Sequence, residues 1–151
     1  MRQTAFITSS VILIVFLASL QSIALIRIGA AQANLLLSFG VMLSIYVYSQ
    51  RAYASLALFI AMLLSQTVWI SRELLVAGGI LFVVRAIQKT IAADRVVATV
   101  TLTTLATLLW YLTLAPRMVF SSLFIIELIL NIAISLLVLL SLTVLNVEAN
   151  P

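Results

Sequence analysis

The chain has 151 residues, of which 65% are hydrophobic and only 8% are charged. Soluble domains are typically about 45–50% apolar and about 25% charged, and a chain this small cannot hide so much apolar surface in one core. The mean hydropathy of +1.32 therefore predicts that membrane lipid surrounds most of the chain. Cysteine and histidine are absent from the sequence, which excludes disulfides, thiol nucleophiles and histidine-based catalysis or metal sites.

The charged residues are few and carry no catalytic or nucleic-acid signature. The acidic residues are Glu73, Asp94, Glu127 and Glu148, and the formal net charge is +4. The basic residues are scattered singly rather than clustered along a surface that could follow a phosphate backbone. Motifs typical of hydrolases, zinc proteases and phosphate-binding loops do not occur. We therefore predict a protein that is not an enzyme, has no cofactor or metal, and binds no nucleic acid.

Charged residues divide the chain into six apolar segments, each close to the roughly 20 residues that a membrane-spanning helix needs. The predicted helices lie at about 4–26, 31–48, 52–70, 74–87, 96–115 and 118–145. The connections are short, so consecutive helices are expected to pack antiparallel. This pattern predicts an all-α polytopic membrane protein, with a single domain over residues 1–151 that forms a bundle of six transmembrane helices.

The basic residues predict the orientation of this bundle. With six spans, both termini and the loops after helices two and four share one side, which carries Arg2, Arg51, Arg85, Lys89 and Arg95. The opposite side carries Arg27, Arg72 and Arg117. Because cytoplasmic loops are enriched in basic residues, we expect both termini in the cytoplasm of the inner membrane. In the loop after helix four, Lys89 and Arg95 either contact anionic lipid headgroups or dock a cytosolic protein.

Aromatic residues lie near the predicted ends of the spans. Tyr46, Tyr48 and Tyr53 flank the turn after helix two, and Trp69, Trp110 and Tyr111 lie near the outer ends of helices three and five. Amphipathic rings are enriched at membrane interfaces. These positions therefore predict two aromatic belts.

Helix four is the weakest of the predicted spans. It carries Gly78 and Gly79 in its middle and Arg85 near its end. Two interpretations remain open. The segment is either a short helix with a close packing contact at the glycines, or a broken helix that lines a cavity, as in transporters.

Glu127 is the most unusual residue, because it lies nine residues after Met118 in an otherwise apolar segment. A carboxylate roughly 14 Å into a bilayer is costly unless it is paired, neutralised or in a wet cavity. Asn131 and Ser135 follow at four-residue intervals, which predicts a polar stripe on one helix face. The stripe either supplies interhelical hydrogen bonds, forms a substrate or ion site, or contacts another membrane protein.

Arg85 is the predicted partner of Glu127. It lies eleven residues after Leu74, roughly 16 Å along its helix, and helices four and six run in the same direction under the predicted topology. The two side chains are therefore expected at nearly the same depth, where they would form an ion pair.

Helix five carries a second periodic feature. Thr99, Thr103 and Thr107 recur every four residues, with Ala106 beside them. A face of small residues lets two helices approach closely. This seam either packs inside the protein or forms a contact between molecules.

Four short segments resemble the family of rod shape-determining proteins MreD. Leu20-Gln21-Ser22 is similar to the Leu-Gln-Ser that commonly ends the family's first helix. In the run from Gln32 to Leu37, Asn34 stands where the family tends to have Asp before leucines. The run from Leu58 to Gln66 corresponds to a glycine-spaced run that ends in Asp, with Gln66 at that position. Leu130-Asn131-Ile132-Ala133 is similar to a motif of the last helix.

This resemblance implies a non-catalytic scaffold that organises bacterial cell elongation, peptidoglycan synthesis and cell shape. The implied partners are a bitopic MreC-like protein and, through it, the actin-like MreB filament and a RodA-like polymerase with its transpeptidase. In this hypothesis the polar stripe and the threonine seam provide lateral helix contacts.

Two other functions remain open. Substrate-binding subunits of energy-coupling-factor vitamin transporters are also small six-helix proteins, and the face from Thr99 to Thr107 would then contact the coupling subunit. The short outer loops leave few residues to close a vitamin pocket. The third hypothesis is a lipid-handling or channel subunit gated by Glu127.

Overall fold

The computed structural model describes residues 2–22, 27–28, 31–32, 34–47, 49–65, 71–91 and 94–144. Within these ranges the chain forms six α-helices and one short antiparallel strand pair. The elements in chain order are α1 (Arg2–Ser22), β1 (Arg27–Ile28), β2 (Ala31–Gln32), α2 (Leu35–Tyr46), α3 (Gln50–Ser65), α4 (Arg72–Gln88), α5 (Arg95–Leu114), a 3-10 turn (Pro116–Met118) and α6 (Ser122–Val144). The prediction of a helical bundle is confirmed at this level.

The second helix begins later than predicted. Residues 31–32 pair as a strand with residues 27–28, in the register Arg27↔Gln32 and Ile28↔Ala31, so the helix predicted from residue 31 begins at Leu35. Its start follows from Asn34, whose side-chain oxygen accepts a hydrogen bond of 3.0 Å from the backbone N–H of Leu37. Asn is a favoured residue at this capping position because its side chain satisfies a backbone donor of the first turn.

The last helix also begins later than the predicted residue 118. Pro116 opens a 3-10 turn that ends at Met118, and Ser121 Oγ then accepts a hydrogen bond of 3.3 Å from the N–H of Phe124. Because α6 begins at Ser122, Glu127 lies only five residues into the helix. The predicted end at 145, the tail beyond it, and residues 66–70 of the predicted third helix lie outside the described residues.

Helix α4 is continuous from Arg72 to Gln88, so the broken-helix interpretation is wrong. It begins where Ser71 Oγ accepts from the N–H of Leu74 at 3.2 Å. A Cβ at Gly78 would lie 4.0 Å from Cβ of Ala61, an ordinary contact, and a Cβ at Gly79 would meet nothing within 4 Å. The glycines therefore neither break the helix nor mark an unusually close approach.

Helix α2 forms the centre of the molecule. All of its residues except Ile45 are buried, and it contacts each of the other five helices. A Cβ added to Gly40 would lie 2.7 Å from Cδ2 of Leu81, which is closer than packed atoms approach. The absent side chain at Gly40 therefore lets α2 and α4 pack together.

The outer helices present apolar side chains to the surroundings. Large exposed hydrophobic side chains include Ile12, Phe16, Leu75, Phe82, Ile129 and Leu137. Two helices, α5 and α6, are long and apolar enough to cross a membrane, yet only 33% and 22% of their apolar windows are buried. Large exposed apolar patches are rare on soluble monomers. The buried central helix and the apolar exterior therefore support an association of the chain with a membrane.

Two of the predicted belt tyrosines lie inside the bundle, which corrects that prediction. Tyr46 and Tyr53 are 6% and 1% exposed, and the Tyr53 hydroxyl donates a hydrogen bond of 2.7 Å to the carbonyl of Leu81. The guanidinium carbons of Arg85 and Arg95 lie 5.1 Å and 5.8 Å from the ring centroids of Tyr53 and Tyr46. Cation–π contact and burial, rather than a lipid interface, hold these two rings.

Candidate functional site

The threonine seam of α5 and the polar stripe of α6 face each other and form hydrogen-bonded pairs. Thr103 Oγ1 donates to Ser135 Oγ at 3.0 Å, and one turn away Asn131 Nδ2 donates to Thr107 Oγ1 at 3.1 Å. A further turn along, the Tyr111 hydroxyl donates to Glu127 Oε2. We call these three pairs the polar ladder. Its regular spacing arises because side chains four residues apart lie on one face of each antiparallel helix.

Two of the three pairs of the polar ladder are buried, as is Thr99 of the threonine seam. Thr99, Thr103, Thr107, Asn131 and Ser135 are all buried, with at most 2% of their surface exposed. Polar side chains on two apolar helices stabilise the contact through interhelical hydrogen bonds. The structure therefore agrees with the interpretations in which stripe and seam pack internally. A contact between molecules would need surface that these five side chains lack.

Asn131 also reaches the amino-terminal end of α2. Its Oδ1 accepts a hydrogen bond of 2.8 Å from the backbone N–H of Asn34, and its backbone carbonyl accepts from Ser38 Oγ at 3.3 Å. From α1, Gln21 Oε1 accepts from the N–H of Leu36 at 3.2 Å. Together with the cap by Asn34 itself, side chains of α1 and α6 satisfy backbone donors that the first turn of a helix leaves unpaired. We call Gln21, Asn34 and Asn131 the α2 cap.

Arg85 serves the opposite end of α2. Its guanidinium donates to the carbonyl of Val47 at 2.6 Å and to the carbonyl of Ser44, and Gln88 Oε1 accepts from it at 3.4 Å. The last carbonyls of a helix carry partial negative charge and lack intrahelical donors. A guanidinium, with five donors in a planar fork, satisfies more than one of them at once.

The predicted pair between Arg85 and Glu127 is therefore corrected. Arg85 binds the carbonyls of Ser44 and Val47, at the carboxyl-terminal end of α2. Glu127 lies one helical turn from Asn131, and Asn131 binds Asn34 at the amino-terminal end of α2. Ten helical residues span about 15 Å, so the two charges lie near opposite ends of the bundle. The prediction failed because it measured depth from Leu74 and Met118, and neither residue is where its helix begins.

The remaining basic residues of the site prediction are accessible. Lys89 follows the last residue of α4, Arg95 begins α5, and both are exposed. Contact of these side chains with lipid headgroups or with a cytosolic protein stays a prediction. Arg72, at the other end of the bundle, donates to the carbonyl of Thr113 near the end of α5, so it repeats the capping role of Arg85.

An apolar groove runs between α1 and α3. It has a volume of about 410 Å³ and is lined by Ile7, Val11, Ala52, Ser55, Leu56 and Phe59. Ser55 is the only hydrophilic side chain of this lining, and its hydroxyl already donates to the carbonyl of Arg51 at 3.1 Å. A vitamin-type pocket needs several convergent polar groups to orient its ligand, and this lining does not supply them. Among the residues that the structure describes, no three acidic, histidine or cysteine side chains are grouped to hold a metal ion.

No family model, curated protein or solved structure matches this chain. The sequence alone indicated the stripe, the seam and Arg85 as candidates, but did not indicate that the first two pair with each other. It also missed Ser38 and Tyr53, although a serine or tyrosine within a strongly apolar segment is a signal of internal hydrogen bonding.

Proposed function

We propose that this chain is an inner-membrane scaffold similar to MreD, which crosses the bilayer six times with both termini in the cytoplasm and organises cell-elongation proteins without catalysis. The observation that carries the proposal is the α2 cap. Gln21, Asn34 and Asn131 come from three separate segments that resemble the MreD family, and they meet at one hydrogen-bonded junction. Positions shared with a family are expected to converge where they support a common fold.

The capping of α2 also supports the membrane location. Its 12 residues span about 18 Å, less than the roughly 30 Å of a bilayer core. In the proposed topology at least one end of α2 lies within the hydrocarbon depth, where backbone polar groups must be satisfied inside the protein. The α2 cap at one end and Arg85 at the other end meet that requirement.

A scaffold needs a stable body with an outer surface for partners, and the polar groups support this role better than transport. The polar ladder side chains bind one another rather than lining a cavity. Because the threonine seam is buried, the proposed lateral contacts are made by exposed apolar side chains of the outer helices, such as Leu75 and Phe82 on α4. The proposed partner surface therefore differs from the one predicted from the sequence.

Partner identification tests the scaffold proposal. The tagged chain is crosslinked in native membranes and purified, and the captured proteins are identified by mass spectrometry. We expect a bitopic periplasmic protein together with a wall polymerase or transpeptidase. A membrane subunit with paired ATPases would instead make the chain a substrate-binding subunit of a vitamin transporter and overturn the proposal.

The cysteine-free sequence permits a direct test of the topology. Single cysteines are introduced at Gln50 and Lys89, on the proposed cytoplasmic side, and at Ser71 and Arg117, on the proposed outer side. A membrane-impermeant maleimide added to spheroplasts is expected to label the outer pair at once and the inner pair only after permeabilisation. Equal labelling of all four variants in intact spheroplasts would contradict the six-span topology.

A further inference from the structure

The groove between α1 and α3 combines an apolar floor with an accessible rim. Leu56 is buried at its base, whereas Val11 and Ser55 on its edges are exposed. Along α3 its lining residues recur at intervals of three and four, from Ala52 to Phe59, so they lie on one helix face. Helix α1 contributes the opposite wall through Ile7 and Val11. The groove lining therefore follows the axis of α3 over about 10 Å.

A cation lies just beyond one end of the groove lining, one turn before the lining residue Ser55. Arg51 lies one turn before Ser55 on the same face of α3 and is exposed, and Ser55 donates its hydroxyl hydrogen to the Arg51 carbonyl. From Arg51 to Phe59 the face runs about 12 Å. The acidic side chains that the structure describes belong to other elements: Glu73 to α4, Asp94 to the start of α5, and Glu127 to α6. The guanidinium therefore adds positive charge at the groove end that the proposed topology places in the cytoplasmic leaflet.

From this geometry we propose that the groove binds one acyl chain of an anionic phospholipid, whose phosphate is held by Arg51. An apolar groove parallel to the bundle axis complements an acyl chain, and a cation at its cytoplasmic end complements an anionic headgroup of that leaflet. The inference rests on the membrane location proposed above.

The test uses the purified full chain in nanodiscs of equal parts phosphatidylglycerol and phosphatidylethanolamine, released for native mass spectrometry. The wild-type chain is expected to retain one lipid and to prefer phosphatidylglycerol. Arg51→Gln should reduce that preference about fivefold, the effect of one basic residue at an anionic surface, while lipid is still bound. Val11→Trp should fill the groove and remove both lipid classes together.

Two matched variants control for charge and for bulk. Arg117→Gln removes an exposed cation from the opposite end of the bundle, and Ile12→Trp adds the same ring to α1 at a neighbouring exposed position. Both should retain lipid with the wild-type preference. An unchanged preference in Arg51→Gln, or lipid retained in Val11→Trp, overturns the proposal. If either result is obtained while maleimide labelling remains as expected, the lipid site is absent but the six-span topology still holds. Failure of the lipid proposal is therefore distinguishable from failure of the proposed topology.

Discussion

The side-chain oxygen of Asn131 accepts a hydrogen bond of 2.8 Å from the backbone N–H of Asn34, which lies 97 residues earlier in the chain. The same side chain donates to Thr107 on α5. One amide group therefore links the start of the central helix to α5 and α6, the two helices long and apolar enough to cross a membrane. The stability of the bundle is expected to depend on this residue more than on any exposed polar side chain.

Replacing Asn131 with leucine is expected to lower the free energy of unfolding by about 1–3 kcal/mol, since the N–H of Asn34 loses its acceptor in a buried setting. The measurement is chemical unfolding of the purified protein in detergent. Ser141→Ala provides the control, because that exposed hydroxyl bonds only within its own helix, to the carbonyl of Leu137. Equal stability of the two variants would contradict the importance given to the α2 cap.

Replacing Arg85 with methionine should destabilise the protein, because the carbonyls of Ser44 and Val47 lose their donor. Arg85→Lys should recover only part of the loss, since an ammonium group lacks the planar fork of a guanidinium. Lys89→Met, one residue beyond α4 and exposed, is the matched control and should change stability little.

A combination of Arg85→Met and Glu127→Gln distinguishes the observed arrangement from the predicted ion pair. Substitutions more than about 10 Å apart are usually additive, so the unfolding free energies of the two single variants should add in the double variant. A double variant whose loss of unfolding free energy differs from the sum of the two single losses by more than about 0.5 kcal/mol would indicate that the two side chains interact after all.

A double-mutant cycle on Thr103→Val and Ser135→Ala measures one pair of the polar ladder. We expect a coupling free energy of about 0.6 kcal/mol, the average for interhelical hydrogen bonds in membranes. Thr103→Val combined with the distant Ser141→Ala should show no coupling. Absence of coupling in the first cycle as well would mean that the buried hydroxyls of Thr103 and Ser135 do not stabilise each other.

Gly40 and Gly79 should respond in opposite directions to the same substitution. Gly40→Ala forces a Cβ against Leu81 and should cost about 1–3 kcal/mol through overpacking, with part of the loss recovered by Leu81→Val. Gly79→Ala meets open space and should stabilise α4 by about 0.5–1 kcal/mol, the helix preference of alanine over glycine. Thermal unfolding of the wild type, Gly40→Ala, Gly40→Ala with Leu81→Val, and Gly79→Ala checks the expected loss at Gly40 and the expected gain at Gly79.

Much of the fold was predictable because charge and apolar length mark helices in a chain of this composition. The ends of α4 and α5 fall within two residues of their predicted positions. The starts of α2 and α6 were misplaced, although the sequence holds their signals. Asparagine, here Asn34, is a favoured helix-capping residue, and proline, here Pro116, commonly occupies the first position of a helical turn. The prediction placed the helix boundaries by charge alone.

The candidate site was predictable as separate faces but not as a set of contacts. Four-residue spacing identified both the stripe from Glu127 and the seam from Thr99, because the period of a helix is fixed. Which face meets which depends on how the helices are rotated and offset in the bundle, and spacing within one helix carries no such information. The role of Arg85 was missed for the same reason, since its acceptors are backbone carbonyls of another helix.

The junction at Asn131 has a consequence for the order of synthesis. When the ribosome has released only α1 and α2, the backbone N–H of Asn34 has no acceptor from α6. Helix α2 then also lacks four of the five helices that it contacts in the finished fold. The hydrogen bonds at the start of α2 are therefore complete only after α6 has packed against it. A nascent chain truncated before α6 therefore leaves the backbone N–H of Asn34 without the acceptor that Asn131 supplies in the finished fold.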